Sequence, residues 1–193
     1  MCVTATGPNW DRLYELASGQ QGYVTTREAA SAGFSSQLLL KHIHAGRVSR
    51  SRRGVYRLVH FPSSEHEELV VAWLWSDKHG VFSHQTALAL HGLSDTLPAR
   101  AHLSLPTAWN ARRLRVPPDV IVHHGDVPKR ERMWFGAVPA TSPVRTLADC
   151  ARAKLAPDML GQAAREALRR GLVKKDELTD VRRALRGFGG LAA

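Results

Sequence analysis

The chain has 193 residues, of which 44% are hydrophobic, so it is long enough for one sizeable core or for two smaller domains. Its 27 Lys and Arg residues exceed its 17 Asp and Glu residues, which gives a formal net charge of +10 at pH 7. This excess favours polyanionic partners, nucleic acid first and an anionic membrane surface second.

The sequence predicts neither a membrane segment nor a disulfide. The longest apolar run, LVVAWLW at 69–75, is much shorter than the roughly 20 residues that a membrane-spanning helix requires. The N-terminal region lacks the apolar stretch of a secretory signal. Cys2 and Cys150 lie near opposite ends of the chain and are expected to be free thiols. We therefore expect a cytoplasmic protein that is not associated with a membrane.

The first part of the sequence predicts three short helices and a β-hairpin. Each helix follows a residue that caps helix N-termini and ends at a glycine. The predicted helices run from Asn9 to Gly19, from the capping box of Thr25 and Glu28 to Gly33, and from Ser35 or Ser36 to Gly46. Two strand-like segments, RVSRS and VYRLV, follow, and Gly54 supplies the positive φ of a tight turn. This order is typical of a winged helix-turn-helix domain.

The character of the sequence changes near residue 60. Residues 1–60 have the highest net positive charge per residue of any part of the chain. They end at HFPSSEHEE, where proline and serine interrupt any regular element. Ser64 and Glu67 have the spacing of a capping box and predict the start of a new helix. We therefore expect a first domain over 1–60 and a second domain over 61–193.

The second part predicts a mixture of helices and strands. A strongly apolar segment at 64–79 predicts a buried helix. Further helices are expected from Ser83 to Gly92, from Ser142 and Pro143 onward, over 157–170 and over 175–186. AHLSL, VIVHH and MWFGAV have the composition of strands. The predicted fold class is α+β: an N-terminal winged helix-turn-helix followed by a larger mixed α/β C-terminal domain.

One face of the third helix is predicted to contact DNA. Gln37, Lys41 and His44 are three or four positions apart and share a face, away from Leu39 and Ile43, which should face the core. That face is polar and free of carboxylates, as suits a recognition helix in the major groove. A solvated helix surface would have the same pattern, so the helix alone leaves both interpretations open.

The predicted hairpin favours the nucleic-acid interpretation. Residues 35–58 contain six Lys or Arg residues and no Asp or Glu. The hairpin arginines repel one another, and the arginine fork suits phosphate oxygens or a narrow minor groove. The alternative is an edge hairpin that its charge keeps soluble. The candidate DNA-binding residues are Ser35, Ser36, Gln37, Lys41, His44, Arg47, Arg50, Arg52, Arg53 and Arg57.

Several segments resemble a known family. GYVTTREAASAGFSSQLLLKHIHAGRVSRSRRGVYRL resembles the N-terminal winged-helix domain of AbiEi-type antitoxins, the regulator half of a bacterial type IV toxin–antitoxin and phage-defence pair. VFSHQTALALHGL, AHLSLP, VIVHHGDVP and VPATSPVRTLADCARA are similar to segments that follow this domain in related proteins.

The resemblance implies a DNA-binding antitoxin and transcriptional autorepressor. Such a protein binds double-stranded DNA at its own promoter and counteracts a nucleotidyltransferase-like toxin, directly or indirectly. The alternative is an RNA- or protein-binding interaction module, in which the basic hairpin meets an acidic partner and no operator exists. The sequence leaves the operator and the oligomeric state open.

Enzymatic function is the weaker hypothesis. A metal-dependent nuclease of the restriction type needs paired carboxylates and a lysine, but neither Asp-x-Lys nor Glu-x-Lys occurs in the sequence. The glycine–serine turn and paired aspartates of a nucleotidyltransferase are also missing. We therefore expect no catalytic residues and no cofactor.

The histidines do not predict a metal site. His123 and His124 are neighbours on a predicted strand and point to opposite faces. His84 and His91 are seven positions apart on a predicted helix, but no further ligand follows at a spacing typical of zinc sites. We expect His84 to form a hydrogen bond to the backbone or a nearby loop at the start of its helix.

Overall fold

The computed structural model describes residues 7–94 and 98–191. The chain divides into two compact units, residues 1–78 and 79–193. The predicted fold class, an N-terminal winged helix-turn-helix followed by a larger mixed α/β domain, is confirmed. In the part of the chain that the structure describes, no helix combines the length and the apolar character that a membrane span requires.

The first unit has the elements of a winged helix-turn-helix domain followed by one more helix. They are α1 (Trp10–Ser18), β1 (Tyr23–Thr25), α2 (Thr26–Ser31), α3 (Ser36–His44), β2 (Val48–Arg52), β3 (Val55–Leu58) and α4 (Glu67–Trp75). Strand β3 lies between β1 and β2 and is antiparallel to both. The hairpin of β2 and β3, which we call the wing, is thus tied to the helices through β1.

The predicted caps of α1, α2 and α3 are confirmed. The side chains of Asn9 and Ser35 each accept a hydrogen bond from the backbone N–H three positions later. Ser35, rather than Ser36, is therefore the cap of α3. Thr25 and Glu28 form the predicted capping box. These side chains satisfy backbone donors that the first helical turn leaves without partners.

The core of the first unit fixes the orientation of α3. Leu39 is fully buried, and Ile43 is half-buried against the same apolar cluster. His42 is also buried, which the sequence analysis did not predict; its ring lies 4.8 Å from that of Trp10 and 5.7 Å from that of Phe34, measured between centroids. Burial, with a smaller effect of nearby positive charges, lowers the pKa of His42. The opposite face of α3 is left exposed to solvent.

Helix α4 packs against the strands of the first unit, so this unit extends to Lys78 instead of ending near residue 60. The segment Val70–Leu74 is buried, as its apolar sequence predicts. The predicted capping box is only half formed. The backbone N–H of Ser64 donates to Glu67, but the hydroxyl of Ser64 donates to the side chain of Gln21 at 2.6 Å.

Glu67 joins α4 to two strands of the sheet. Its carboxylate accepts hydrogen bonds from the hydroxyl of Tyr23 at 2.8 Å and from the guanidinium of Arg57 at 3.1 Å. Burial and the hydrogen bond to Glu67 raise the pKa of Tyr23 to about 12, so the hydroxyl remains a donor. Partial burial raises the pKa of Glu67, but the hydrogen bonds from Tyr23, Ser64 and Arg57 outweigh it and lower the pKa overall.

The second unit is built on a mixed sheet with strand order β6-β5-β4-β8-β7. Its elements are β4 (Val81–Phe82), α5 (His84–Leu90), β5 (Ala101–Leu105), β6 (Val120–His124), β7 (Arg132–Phe135), β8 (Val138–Thr141), α6 (Pro143–Arg152), α7 (Pro157–Arg169) and α8 (Thr179–Leu185). Strands β5 and β6 are parallel, as are β4 and β8. The other two pairs of neighbouring strands are antiparallel.

Two predicted elements of the second unit differ from the observed ones. MWFGAV is predicted as one strand, but the chain turns at Gly136, where φ is 56°, and forms the hairpin of β7 and β8. The helix predicted over 175–186 is a 3₁₀ turn, Lys175–Glu177, followed by α8. The side chain of Glu177 accepts a hydrogen bond from the backbone N–H of Lys174 at 2.7 Å, which closes that turn separately.

Helices α5 to α8 share an apolar core that contains Leu88, Leu147 and Leu160. Cys150 lies in this core as a free thiol, and burial raises its pKa to about 12. The thiol is therefore protonated and shielded, as expected for a structural cysteine. Cys2 lies outside the described residues.

We predict that Glu67→Gln destabilises the protein by about 2 kcal/mol, because it removes the charged acceptor of two side-chain hydrogen bonds. The matched control is Glu68→Gln, since Glu68 is exposed in the same helical turn and its change should cost less than about 0.5 kcal/mol. Urea denaturation of the full chain measures both values. Equal stability of the two variants would contradict the prediction.

The same pair of variants tests the pH dependence. The pKa of Glu67 is lower in the folded protein than in the unfolded chain, where it is about 4.3. The stabilisation by its charge is therefore fully present above that value and is lost as the pH falls through the folded pKa. The difference in unfolding free energy between the unmodified chain and Glu67→Gln should accordingly shrink in acid.

Candidate nucleic-acid interface

The exposed face of α3 contains all the residues that the sequence assigns to it. Ser35, Ser36, Gln37, Lys41 and His44 are exposed to solvent. The burial of the other face against the core determines which side chains point outward. Gln37 and Lys41, one turn apart, are long enough to reach base edges or phosphates if the helix enters a major groove.

The wing presents its arginines at the edge of the sheet. Strand β2 pairs with β3 alone among the described strands. The register shifts between Arg50 and Arg52, so Ser51 forms a bulge that turns the strand locally. The backbone N–H of Thr26 donates to the carbonyl oxygen of Gly54 at 2.9 Å, and Gly54 has the predicted positive φ, at 81°. The tip of the wing is thus attached to the start of α2.

Four basic side chains of α3 and the wing are available to a ligand. Arg47, Arg50 and Arg53 are exposed, as is Lys41. Across residues 7–94 and 98–191, these four side chains form neither a hydrogen bond nor an ion pair. The sequence from 29 to 64 contains no carboxylate side chain that could neutralise them. We call these four residues together with Gln37 and His44 the basic surface; its chemistry is complementary to phosphate.

The remaining two predicted arginines lie in different environments. The side chain of Arg57 is only 16% exposed, and it donates hydrogen bonds to Glu67 at 3.1 Å and to the carbonyl oxygen of Phe61 at 2.9 Å. Arg57 therefore has a structural role, and we exclude it from the candidate interface. Arg52 is half-buried at the end of the β2–β3 ladder, opposite Val55, and is less accessible than Arg50 or Arg53.

Carboxylates of the first unit bind cations that lie outside the basic surface. Glu28 forms an ion pair with Lys78, and Asp77 forms one with Arg27 at 2.7 Å. Glu67 binds Arg57, as described above. These three carboxylates therefore neutralise cations elsewhere in the unit, and the wing retains its positive charge.

Three partly buried histidines, which no sequence pattern predicts to meet, form a cluster in the second unit. His84 begins α5, His102 lies on β5 and His123 lies on β6. The rings of His84 and His123 are stacked, with centroids 3.7 Å apart. Nδ1 of His102 and Nε2 of His123 are 3.0 Å apart, within hydrogen-bond distance.

The parallel register of β5 and β6 explains why these rings meet. His123 lies opposite Ser104, and Ser104 shares a face of the strand with His102, two positions earlier. Both rings therefore lie on the same side of the sheet. The backbone N–H of Ser83 donates to the carbonyl oxygen of His102 at 3.0 Å, which places His84 beside them. The sequence pattern relates His123 only to His124, its neighbour on the same strand. The register between β5 and β6 cannot be predicted from the sequence of either strand.

The environment of the cluster disfavours positive charge on the rings. Burial, followed by the effect of the neighbouring histidines, lowers the pKa of His84 to about 3 and that of His102 to about 4. Burial also lowers the pKa of His123, although the charge of Asp149 opposes this shift. Nδ1 of His84 lies 2.9 Å from Oγ of Ser83, so its hydrogen-bond partner is the hydroxyl of the preceding residue instead of the expected backbone or loop group.

Comparison with known proteins identifies the family that the winged helix resembles. Residues 11–59 match the family described as "Transcriptional regulator, AbiEi antitoxin". The resemblance stated from the sequence is confirmed for this segment, which runs from α1 through the wing. The match covers 49 of the 193 residues.

A solved structure shares the fold over most of the chain. The RV2827C protein from Mycobacterium tuberculosis superposes with a TM-score of 0.52 at 17% sequence identity, covering 94% of this chain and 73% of that protein. At this identity the similarity shows a common fold. No curated protein matches the sequence.

Proposed function

We propose that this chain is a DNA-binding antitoxin and transcriptional autorepressor of a bacterial toxin–antitoxin operon, which acts in the cytoplasm and counteracts a nucleotidyltransferase-like toxin. The observation that carries the proposal is the basic surface, whose exposed cations have no ion-pair partner among the described residues, while Glu28, Glu67 and Asp77 pair with other cations. The family match over the same residues supports it.

The proposed contacts divide into two kinds. Helix α3 enters the major groove, where Gln37 and Lys41 face base edges and neighbouring phosphates. The wing lies along the adjacent backbone or minor groove, and Arg47, Arg50 and Arg53 bind phosphates there. The first set determines which sequence is bound, whereas the second adds affinity for any duplex.

Repression follows from occupancy of the promoter. A protein bound at its own operator excludes the polymerase, so its synthesis and that of a co-transcribed toxin fall as its concentration rises. The proposal involves binding and no catalytic step, in keeping with the absence of acidic-x-Lys motifs from the sequence. We assign neutralisation of the toxin to the second unit, residues 79–193, which forms most of the C-terminal domain expected over 61–193.

We predict that Arg50→Ala combined with Arg53→Ala weakens binding to all duplexes alike. Each lost phosphate contact lowers the slope of log K against log salt by about 0.9, so the slope should fall by about 2. The charge-matched control is Arg182→Ala with Arg183→Ala, two exposed arginines of α8, which should leave the slope unchanged. Fluorescence anisotropy with the chain's own upstream DNA measures both; an equal effect of the two double variants would contradict the assignment.

Replacement of Gln37 by Ala should reduce discrimination between the upstream region and a scrambled duplex of equal composition. A bidentate base contact contributes about 1–3 kcal/mol to discrimination, so binding to the scrambled duplex should be unchanged while specific binding weakens. Competition gel shifts measure the ratio. Equal loss on both duplexes would assign Gln37 to phosphate contact, and tighter binding to single-stranded RNA than to either duplex would favour the RNA-binding alternative.

We also predict that antitoxin activity survives loss of operator binding. The full chain carrying Arg50→Ala and Arg53→Ala should still protect cells when the toxin is expressed from an unrelated promoter, because the wing contacts DNA only. Colony counts under toxin induction, beside the unmodified chain and an empty vector, provide the measurement. Loss of protection would show that neutralisation requires the basic surface.

A further inference from the structure

We propose that His84, His102 and His123 form a binding site for a divalent transition-metal ion of the zinc class in the second unit. Each histidine offers one ring nitrogen, and the three nitrogens lie within 4.8 Å of one another. The inference concerns the second unit alone and is independent of DNA binding by the first.

The separations within the cluster suit a metal ion bound by imidazoles. Zn–N bonds of 2.0–2.1 Å at a tetrahedral angle place two ligand nitrogens about 3.3 Å apart. Nδ1 of His102 and Nε2 of His123 are 3.0 Å apart, so a small outward shift of either ring admits the ion between them. The ion then replaces the hydrogen bond that these two nitrogens share.

The third ligand requires a rotation of one ring. The stacked rings of His84 and His123 are inclined by 18°, so their in-plane lone pairs run nearly side by side. A change in the side-chain torsion of His84 directs its free nitrogen toward the other two. His84, the first residue of α5, has a positive φ of 52°. This conformation is energetically unfavourable for a residue other than glycine.

Hydroxyl groups beside the cluster orient the ring of His84. Nδ1 of His84 lies 2.9 Å from Oγ of Ser83, and Oγ of Ser83 accepts a hydrogen bond from the hydroxyl of Ser104 at 2.8 Å. When Nδ1 of His84 donates to Ser83, Nε2 is left as the ligand atom. Hydrogen bonds of this kind orient histidine ligands in known metal sites.

The charged groups around the cluster partly offset one another, although Arg100 adds a positive charge near His102. Arg145 and Arg152 are near enough to His84 to disfavour positive charge there. Both arginines form ion pairs with Asp149, at 2.9 Å and 2.8 Å, and the carboxylate of Asp149 acts in the opposite sense on His123. Since the imidazoles are neutral ligands and no carboxylate joins the cluster, the site favours zinc, copper, nickel or cobalt over magnesium or calcium.

Binding would join three elements of the second unit. The ion would connect the start of α5 to β5 and β6, and three protein ligands would leave a fourth position for water or an anion. An ion that binds only the folded chain stabilises it as the concentration of free ion rises. The concentration of free metal ion would therefore control the stability of the second unit.

The experiment uses the full chain without a histidine tag, freed of metal by chelation. Isothermal titration with Zn²⁺ should give one high-affinity ion per chain, and Zn X-ray absorption should fit three imidazole nitrogens at about 2.0–2.1 Å. Mg²⁺ should give no binding. A shell of fewer than three imidazoles, or no stoichiometric uptake of Zn²⁺, would overturn the proposal.

The matched variants are His102→Gln and His124→Gln. His124 is the exposed neighbour of His123 and lies on the other face of β6. His102→Gln should weaken Zn²⁺ binding at least 100-fold and abolish the rise of Tm with Zn²⁺, whereas His124→Gln should change neither. His84→Asn provides a second test that tolerates the positive φ of this position. Circular dichroism without metal establishes folding, and equal binding by His102→Gln, His84→Asn and the unmodified chain would refute the site.

Discussion

The ion pair between Glu67 and Arg57 determines how charge is distributed in the first unit. It attaches α4 to the strand from which the wing is built and, with Tyr23, fills a partly buried site between the sheet and the helix. Because Arg57 is neutralised inside the unit, the exposed arginines of the wing are Arg50 and Arg53, and the sequence from 29 to 64 has no carboxylate to pair with them. A partly buried pair of this kind stabilises less than its Coulomb energy suggests, yet loss of one partner leaves the other unsatisfied.

The winged helix could be predicted from the sequence because its signals are local. Asn9, Thr25 with Glu28, and Ser35 each act within one helical turn, and Gly54 acts at its own position in the hairpin. The exposed face of α3 followed from helical periodicity alone. The role of Arg57 could not be predicted in this way, because its partner Glu67 lies on another element and the assignment needs the packing of α4 against the sheet.

The second unit was less predictable for the same reason. Gly136 permits a turn, but only the pairing of β7 with β8 shows that the chain reverses there. His84, His102 and His123 are spread over three elements, and their meeting depends on a parallel register that no single segment encodes. By contrast, the starts of α5 and α6 were accessible from Ser83, Ser142 and Pro143, although only the side chain of Ser142 accepts a capping hydrogen bond.

The order of strands in the second unit has a consequence for how the chain folds during synthesis. In the first unit, all paired strands lie within residues 23–58, whereas Phe82 on β4 must wait for Ala140 on β8 before their parallel pairing forms. Contacts between distant positions close slowly, since chain entropy is lost before they form. The winged helix and α4 are therefore complete while β4 still lacks one neighbour, and a nascent chain carries its basic surface before the histidine cluster and the C-terminal core exist.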